Sequence, residues 1–270
     1  GAPVAPGTIQ GYHRSLPGGW GQEVIAHRSQ LFPVPDALDD RTAALTEPIG
    51  IALHAVLNTP HPDPSDPVLV LGSGPIALAT IWSLRATGFT GEIVAQIKRD
   101  HEAAMARALG ASTIVRPGDQ AREAMVGTGA SAYMPLVGDE VYAGGGFPLI
   151  YDCVGSRATL SQALRYATPR GRLVVLGCAA EMKKLDLTFL WARELDVRGF
   201  TGYGREEFRG ESRHTYAIAH ELLVETAAPM DRLVTHVFPL TEAKRALGVA
   251  GNRRKWQSVK VLLDPTSNGS

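Results

Sequence analysis

Residues 68–77, Val68-Leu69-Val70-Leu71-Gly72-Ser73-Gly74-Pro75-Ile76-Ala77, constrain this chain more than any other stretch. Val68 to Leu71 read as a buried strand, and Leu78 to Arg85 read as a helix. Between them Gly72, Gly74 and Ala77 stand in the G-x-G-x-x-G/A spacing. The first glycine lets the chain turn sharply out of the strand, and the second lets a pyrophosphate approach the backbone. A small third residue lets helix and strand pack closely. Phosphates bind at such a helix start because its free N–H groups and dipole favour negative charge. The spacing alone is weakly specific, but the strand before it and the helix after it make a dinucleotide site the leading expectation. Its candidate residues are Gly72, Gly74, Pro75, Ile76 and Ala77.

From Val68 onward strand and helix patterns alternate. Strands are predicted at 68–71, 92–97, 112–115, 148–153, 171–177 and 195–200. Helices are predicted at 75–87, 101–109, 119–126, 156–167, 186–193 and 213–226. Continuous apolar strands separated by amphipathic helices imply a parallel sheet covered on both faces. In the 101–109 helix, Asp100 reads as the N-cap, and Ala104, Met105, Ala108 and Leu109 recur at helical spacing. Residues 1–20 read as loop, with small strands expected at 23–25 and 31–32. A short helix opens at Asp39-Asp40-Arg41-Thr42, Thr46-Glu47-Pro48 interrupts it, and 49–57 is helical again. Residues 127–147 read as a long irregular insertion. Near the end, strands at 234–238 and 259–263 flank a helix at 241–248.

Composition narrows the class. The chain has 270 residues with 27 basic and 27 acidic side chains, so it carries no electrostatic footprint for nucleic acid or an anionic membrane. No apolar run approaches the roughly 18 residues that span a bilayer, and no signal-peptide pattern opens the chain. With only Cys153 and Cys178, a disulfide framework is not expected and a reducing cytoplasm fits. No C-x-x-C occurs, so no zinc lobe is encoded here.

Several segments in order then match a known pattern. These are Gly18-Gly19-Trp20-Gly21-Gln22-Glu23-Val24, Leu31 to Asp36, Ala43-Ala44-Leu45-Thr46-Glu47-Pro48 and the glycine turn. Ala108-Leu109-Gly110-Ala111, Asp152-Cys153-Val154-Gly155, Gly171 to Gly177 and Lys260-Val261-Leu262 come after it. The chain resembles the medium-chain, zinc-type alcohol dehydrogenase family, which includes sorbitol, threonine and glucose dehydrogenases. The resemblance runs from residue 18 to 263. It implies an α/β fold: a Rossmann doubly wound parallel sheet over 48–232, with a remnant of a GroES-like β-rich catalytic domain at 1–47 and 233–270.

The resemblance also implies site residues. Glu47 takes the place of a family glutamate close to the catalytic zinc, where a carboxylate exchanges with water as the metal opens a position for substrate. The family's main zinc ligands, a Cys and a His-Glu pair, belong to a segment preceding residue 1. Zinc is therefore expected in full-length relatives and not on this chain alone, which reads as N-terminally truncated or unusually short. The strand-end slot for an acid that binds adenosine ribose falls on Ile97, and Lys98 and Arg99 come next. Without the acid there is no repulsion of a 2′-phosphate, and an Arg clamps one. NADP is therefore preferred; in the NAD alternative Gln96 serves the ribose and Lys98 and Arg99 are solvated. Cys153, Val154, Gly155, Gly177 and Cys178 end two strands and are expected to line the groove through their backbone, both thiols being small buried groups. His54 is expected to pack or hydrogen-bond. Lys260 is a candidate for the cofactor pyrophosphate.

The expected activity is hydride transfer between a small alcohol or polyol and the nicotinamide, with this chain inactive by itself. The competing expectations are a nucleotide-binding protein without redox chemistry and a structural subunit with a vestigial groove. Homodimers or homotetramers are expected, paired through the strand near 195–200.

Overall fold

A computed structural model describes residues 10–14, 18–178 and 180–266. Two short helices come first, α1 (Asp40–Ala43) and α2 (Thr46–Leu57). The alternation continues as β1 (Val68–Leu71), α3 (Pro75–Ala86), β2 (Ile93–Gln96), α4 (Asp100–Ala108), β3 (Thr113–Val115) and α5 (Asp119–Gly127). A hairpin of β4 (Ser131–Tyr133) and β5 (Val141–Ala143) leads into β6 (Phe147–Asp152), α6 (Arg157–Tyr166), β7 (Ala167–Val175), α7 (Thr188–Ala192) and β8 (Asp196–Gly199). A second hairpin, β9 (Arg205–Phe208) and β10 (Glu211–His214), precedes α8 (Thr215–Thr226). The C-terminal part holds β11 (Val234–Pro239), α9 (Ala243–Gly251), α10 (Arg253–Trp256) and β12 (Lys260–Asp264).

Six strands form one parallel sheet in the order β3-β2-β1-β6-β7-β8. This is the doubly wound arrangement expected from the alternation. The strand order reverses between β1 and β6, and in such sheets the crevice for a ligand opens there, beyond the carboxyl ends of the strands. Alternate residues of β1 feed two cores. Val68 and Val70 face the helices α2, α3 and α8, while Leu69 and Leu71 face the α5–α6 side. All four are at most 2% exposed, so β1 is buried on both faces and fixes the turn at its end. β11 and β12 pair in parallel beside α9 as a separate two-stranded sheet.

Several local expectations are corrected. Val24, Ile25 and Leu31 are exposed and form no strand, because no partner strand lies beside them among the described residues. Of the expected loop over 1–20, residues 1–9 and 15–17 lie outside the described residues. The break between the first helices falls at Ala44–Leu45. Thr46-Glu47-Pro48 is the first turn of α2, where Pro48 has no N–H to waste. Arg99, not Asp100, caps α4, and Asp100 is its first helical residue. The buried face of α4 is Glu102, Ala103 and Ala106 with Leu109 beyond, while Ala104 and Ala108 point outward. The 127–147 insertion holds the β4–β5 pair, registered Ser131 to Ala143 and Tyr133 to Val141. The β9–β10 hairpin was not expected. Arg209 and Gly210 at its tip both have positive φ, 52° and 82°, as a two-residue hairpin turn needs.

Candidate functional site

The site starts where β1 ends. Gly72 has φ +129°, and a Cβ there would meet Val154 Cγ2 at 3.2 Å and the Cβ atoms of Ala77 and Cys153 at 3.4 Å. The first glycine and the small third residue therefore fit against each other and against the end of β6. Gly74 caps α3 without a side-chain hydrogen bond, and Pro75 opens the helix. The first-turn N–H groups of Ile76 and Ala77 have no carbonyl one turn back to bond, so this helix end can receive an anion.

The facing wall is built by Asp152, the last residue of β6, which is fully buried. Its Oδ1 accepts from the N–H groups of Val154 and Gly155, each at 3.0 Å, and its Oδ2 accepts from Thr159 Oγ1 at 3.0 Å. Burial pushes its carboxyl above the usual range, and these three bonds pull it back. Gly155 comes next but two along the chain at φ +70°, and Ser156 caps α6 with a capping box. Gly177 reaches the same loop from the end of β7, and a Cβ on it would stand 2.1 Å from Val154 C and 2.2 Å from Gly155 N. The structure thus gathers Gly72, Gly74, Pro75, Ile76, Ala77, Cys153, Val154, Gly155 and Gly177 at one end of the sheet.

The two cysteines separate. Cys153 Sγ lies 3.5 Å from Thr80 Oγ1, and burial pushes its thiol up to about 12, so it is inert. Cys178 is exposed, against expectation, because β7 ends at Val175 and the chain has already left the sheet.

At the end of β2, Ile97 is fully buried and its N–H bonds Val115 O at 2.9 Å. Lys98 is exposed, and Arg99 pairs with Glu102 at 2.8 Å. Gln96 pairs with Gln162 of α6 through reciprocal amide bonds of 3.0 and 2.6 Å, which use one N–H and one oxygen lone pair of its amide.

The basic group at the turn is Arg253 of α10, which sequence reasoning missed. Its Nη2 donates to Ser73 O at 3.0 Å and to Glu102 Oε1 at 2.6 Å. Burial pulls its pKa below the ordinary arginine value, with Glu102 opposing that shift. Lys260 lies instead along a crevice of about 360 Å³ with Trp20, Ala44 and Leu247. The only sequence signal for Arg253 is the basic run Arg253-Arg254-Lys255.

Glu47 lies in the first turn of α2, and its charge is one of the influences raising the Tyr216 hydroxyl pKa, after burial and Tyr203. A Cβ on Gly50, one turn further along, would stand 2.5 Å from the Tyr216 ring. His54 is tied into the fold: Nδ1 lies 2.5 Å from Glu206 Oε1, while Asn58 and Thr215 also donate to that carboxylate at 2.6 and 2.8 Å. Among the described residues no three His, Cys, Asp or Glu side chains group to hold a metal. The described residues do not by themselves fit a zinc centre.

Comparison with known proteins places these features in a family. The family model described as "Zinc-binding dehydrogenase" matches residues 75–215. L-Idonate 5-dehydrogenase of Vitis vinifera is 27% identical over 241 residues, covering 89% of this chain and 61% of that protein. Sorbitol dehydrogenase of Mus musculus is 25% identical over 232 residues, covering 86% and 58%. A crystal structure of a candidate zinc-binding dehydrogenase from Sinorhizobium meliloti bound to NADP aligns at TM-score 0.71 with 28% identity, over 93% of this chain and 67% of that one. L-Idonate 5-dehydrogenase of Escherichia coli shares the fold at TM-score 0.70 and 21% identity, over 89% and 62%. The chain spans 61% and 58% of the length of the two curated relatives.

Proposed function

Since this chain belongs to the zinc-binding dehydrogenase family, we propose that it provides the nicotinamide dinucleotide site of an alcohol or polyol dehydrogenase. A nicotinamide held there would supply the hydride acceptor or donor for an alcohol–carbonyl interconversion. The chain's own part is to bind and orient. Gly72 and Gly74 leave room for the pyrophosphate, the α3 N-terminus carries its charge, and the loop Cys153–Gly155 with Gly177 walls the groove. The observation that carries this reading is the mutual fit of Gly72, Ala77 and Val154 at the strand-order reversal. We assign residues 48–232 to the cofactor lobe and 1–47 with 233–270 to a partial catalytic lobe.

NADP is the preferred form. The acid slot is filled by buried Ile97, with Lys98 exposed beside it and Arg99 next along the chain. Titration of the purified chain with NADP and NAD tests both levels. Saturable binding with NADP tighter supports the reading, NAD binding tighter overturns the cofactor preference, and binding of neither overturns the site.

A second reading rests on Glu47, the carboxylate that the resemblance sets near a metal, which is exposed in the first turn of α2 and has no companion ligands among the described residues. The chain alone then binds cofactor without turnover, and the zinc chemistry belongs to residues outside this sequence. Zinc-dependent alcohol oxidation by these 270 residues would overturn that. β8 is an exposed edge of the large sheet and suits pairing with a second copy as a homodimer or homotetramer. The cysteines are unpaired, which suits the cytoplasm. No helix among the described residues is long and apolar enough to cross a membrane.

A further inference from the structure

Glu102 is a carboxylate in the first turn of α4 with none of its side chain exposed. A charge placed there needs partners, because burial strips it of water. Its Oε1 accepts from Arg99 Nη1 at 2.8 Å and from Arg253 Nη2 at 2.6 Å. The same Arg253 nitrogen reaches Ser73 O, inside the glycine turn, at 3.0 Å. Arg253 Nη1 stands 3.5 Å from where a Cβ on Gly74 would lie, so the guanidinium rests on the second glycine of the turn.

The other oxygen, Oε2, is buried without a hydrogen-bond partner among the described residues. The single oxygen Oε1 therefore carries both guanidiniums. Two guanidiniums on one carboxylate also leave a net positive charge beside a helix N-terminus. A planar guanidinium fork matches phosphate oxygens, and Arg253 Nη1 stands beside the second glycine of the turn, where the dinucleotide reading brings a pyrophosphate close to the backbone.

We propose that Glu102 is the positioning residue of a phosphate clamp, holding Arg253 over the glycine turn and Arg99 at the end of β2. The clamp joins the C-terminal segment to the cofactor sheet, and its ligand class is the adenosine diphosphate moiety of a dinucleotide. Glu102 acts through the arginines and does not touch the phosphates. The inference rests on the dinucleotide reading of the same turn.

The test is a double-mutant cycle on the full chain, read by calorimetric titration with ADP and checked for folding by circular dichroism. Arg253→Ala weakens ADP about tenfold in the native background. In the Glu102→Ala background the same change weakens it less than about threefold, because the arginine is no longer held in place. Glu102→Gln, which keeps the volume and removes the charge, replaces Glu102→Ala in the cycle if the alanine variant does not fold. Equal penalties in both backgrounds overturn the positioning role, and an Arg253→Ala variant that binds ADP like the native chain overturns the clamp. Native chain that binds neither ADP, NAD nor NADP overturns the dinucleotide reading itself, a result distinct from additivity.

Discussion

Gly177 and Val154 are in such close approach that a Cβ on residue 177 would stand 2.1 Å from the Val154 carbonyl carbon. The contact locks the loop after β7 onto the loop after β6, and these two loops form one wall of the proposed groove. Backbone, not a flexible side chain, is the obstacle a larger residue would strike. Gly177→Ala must therefore push the loops apart, an overpacking cost of about 1–3 kcal/mol. It should lower Tm by roughly 2–4 °C per kcal/mol and weaken dinucleotide binding about tenfold. Unchanged affinity in a folded Gly177→Ala variant would show that the wall is not part of the site.

Asp152 shapes the same wall from beneath. It accepts from two backbone N–H groups and one hydroxyl, all at 3.0 Å, while fully buried. Asp152→Ala strands the two backbone N–H groups, while Thr159 Oγ1 can still donate to Ser156 O at 3.1 Å, and should cost about 2 kcal/mol or more. Asp152→Asn should cost less than about 1 kcal/mol. The amide oxygen still accepts from the two N–H groups, and its NH₂ can donate to Thr159 Oγ1. Burial already disfavours the charge on this carboxyl, so losing it is tolerated. Urea unfolding of the two variants measures the difference, and equal losses would refute the account.

The proposed NADP preference rests on Lys98 and Arg99. Arg99 gives one nitrogen to Glu102, and Lys98 is exposed at the end of β2. Lys98→Ala, which leaves the Arg99–Glu102 pair intact, should weaken NADP about tenfold and NAD less than about threefold, because only NADP carries the 2′-phosphate. Competition with 2′,5′-ADP against 5′-ADP reads that phosphate directly. An equal loss for both ligands would sink the assignment.

The sheet was legible because β1 and β6 are unbroken apolar runs and the glycine spacing fixes the turn out of β1. The geometry of the turn was legible for the same reason: Gly72, Gly74 and Ala77 act within one stretch of chain. Glu102 was not, because a carboxylate on an amphipathic helix reads as solvent-facing, and its burial depends on Arg253, 151 residues away. The pairing of Gln96 with Gln162 was hidden for a related reason, since no local pattern announces it. Residues 23–25 have strand-like composition, but a strand exists only where another lies beside it. Long-range polar pairing is hidden in the order of residues, and only the packed structure supplies it.

Acid sensitivity is expected from three histidines whose pKa values burial lowers below the ordinary 6.5. Burial is the first cause for each. His220 lies 3.0 Å from Thr46 Oγ1, at the join of α8 and α2. His61 lies against Thr87 Oγ1 at 3.1 Å. His214 Nδ1 accepts the Tyr216 N–H at 3.1 Å, which requires that nitrogen to be unprotonated. Arg205 lowers the His214 pKa further, against Glu206. Between each depressed native pKa and 6.5 the unfolded chain holds more protons than the native one, so stability rises with pH there. It is fully present above 6.5 and is lost as pH falls through the window. Urea midpoints measured from pH 7.5 down to about 5, above the bulk carboxylate range, should therefore drop. The drop should be shallower in the triple variant His61→Gln, His214→Asn, His220→Gln. Parallel midpoint curves for the native and triple-variant chains would remove the histidines as the cause.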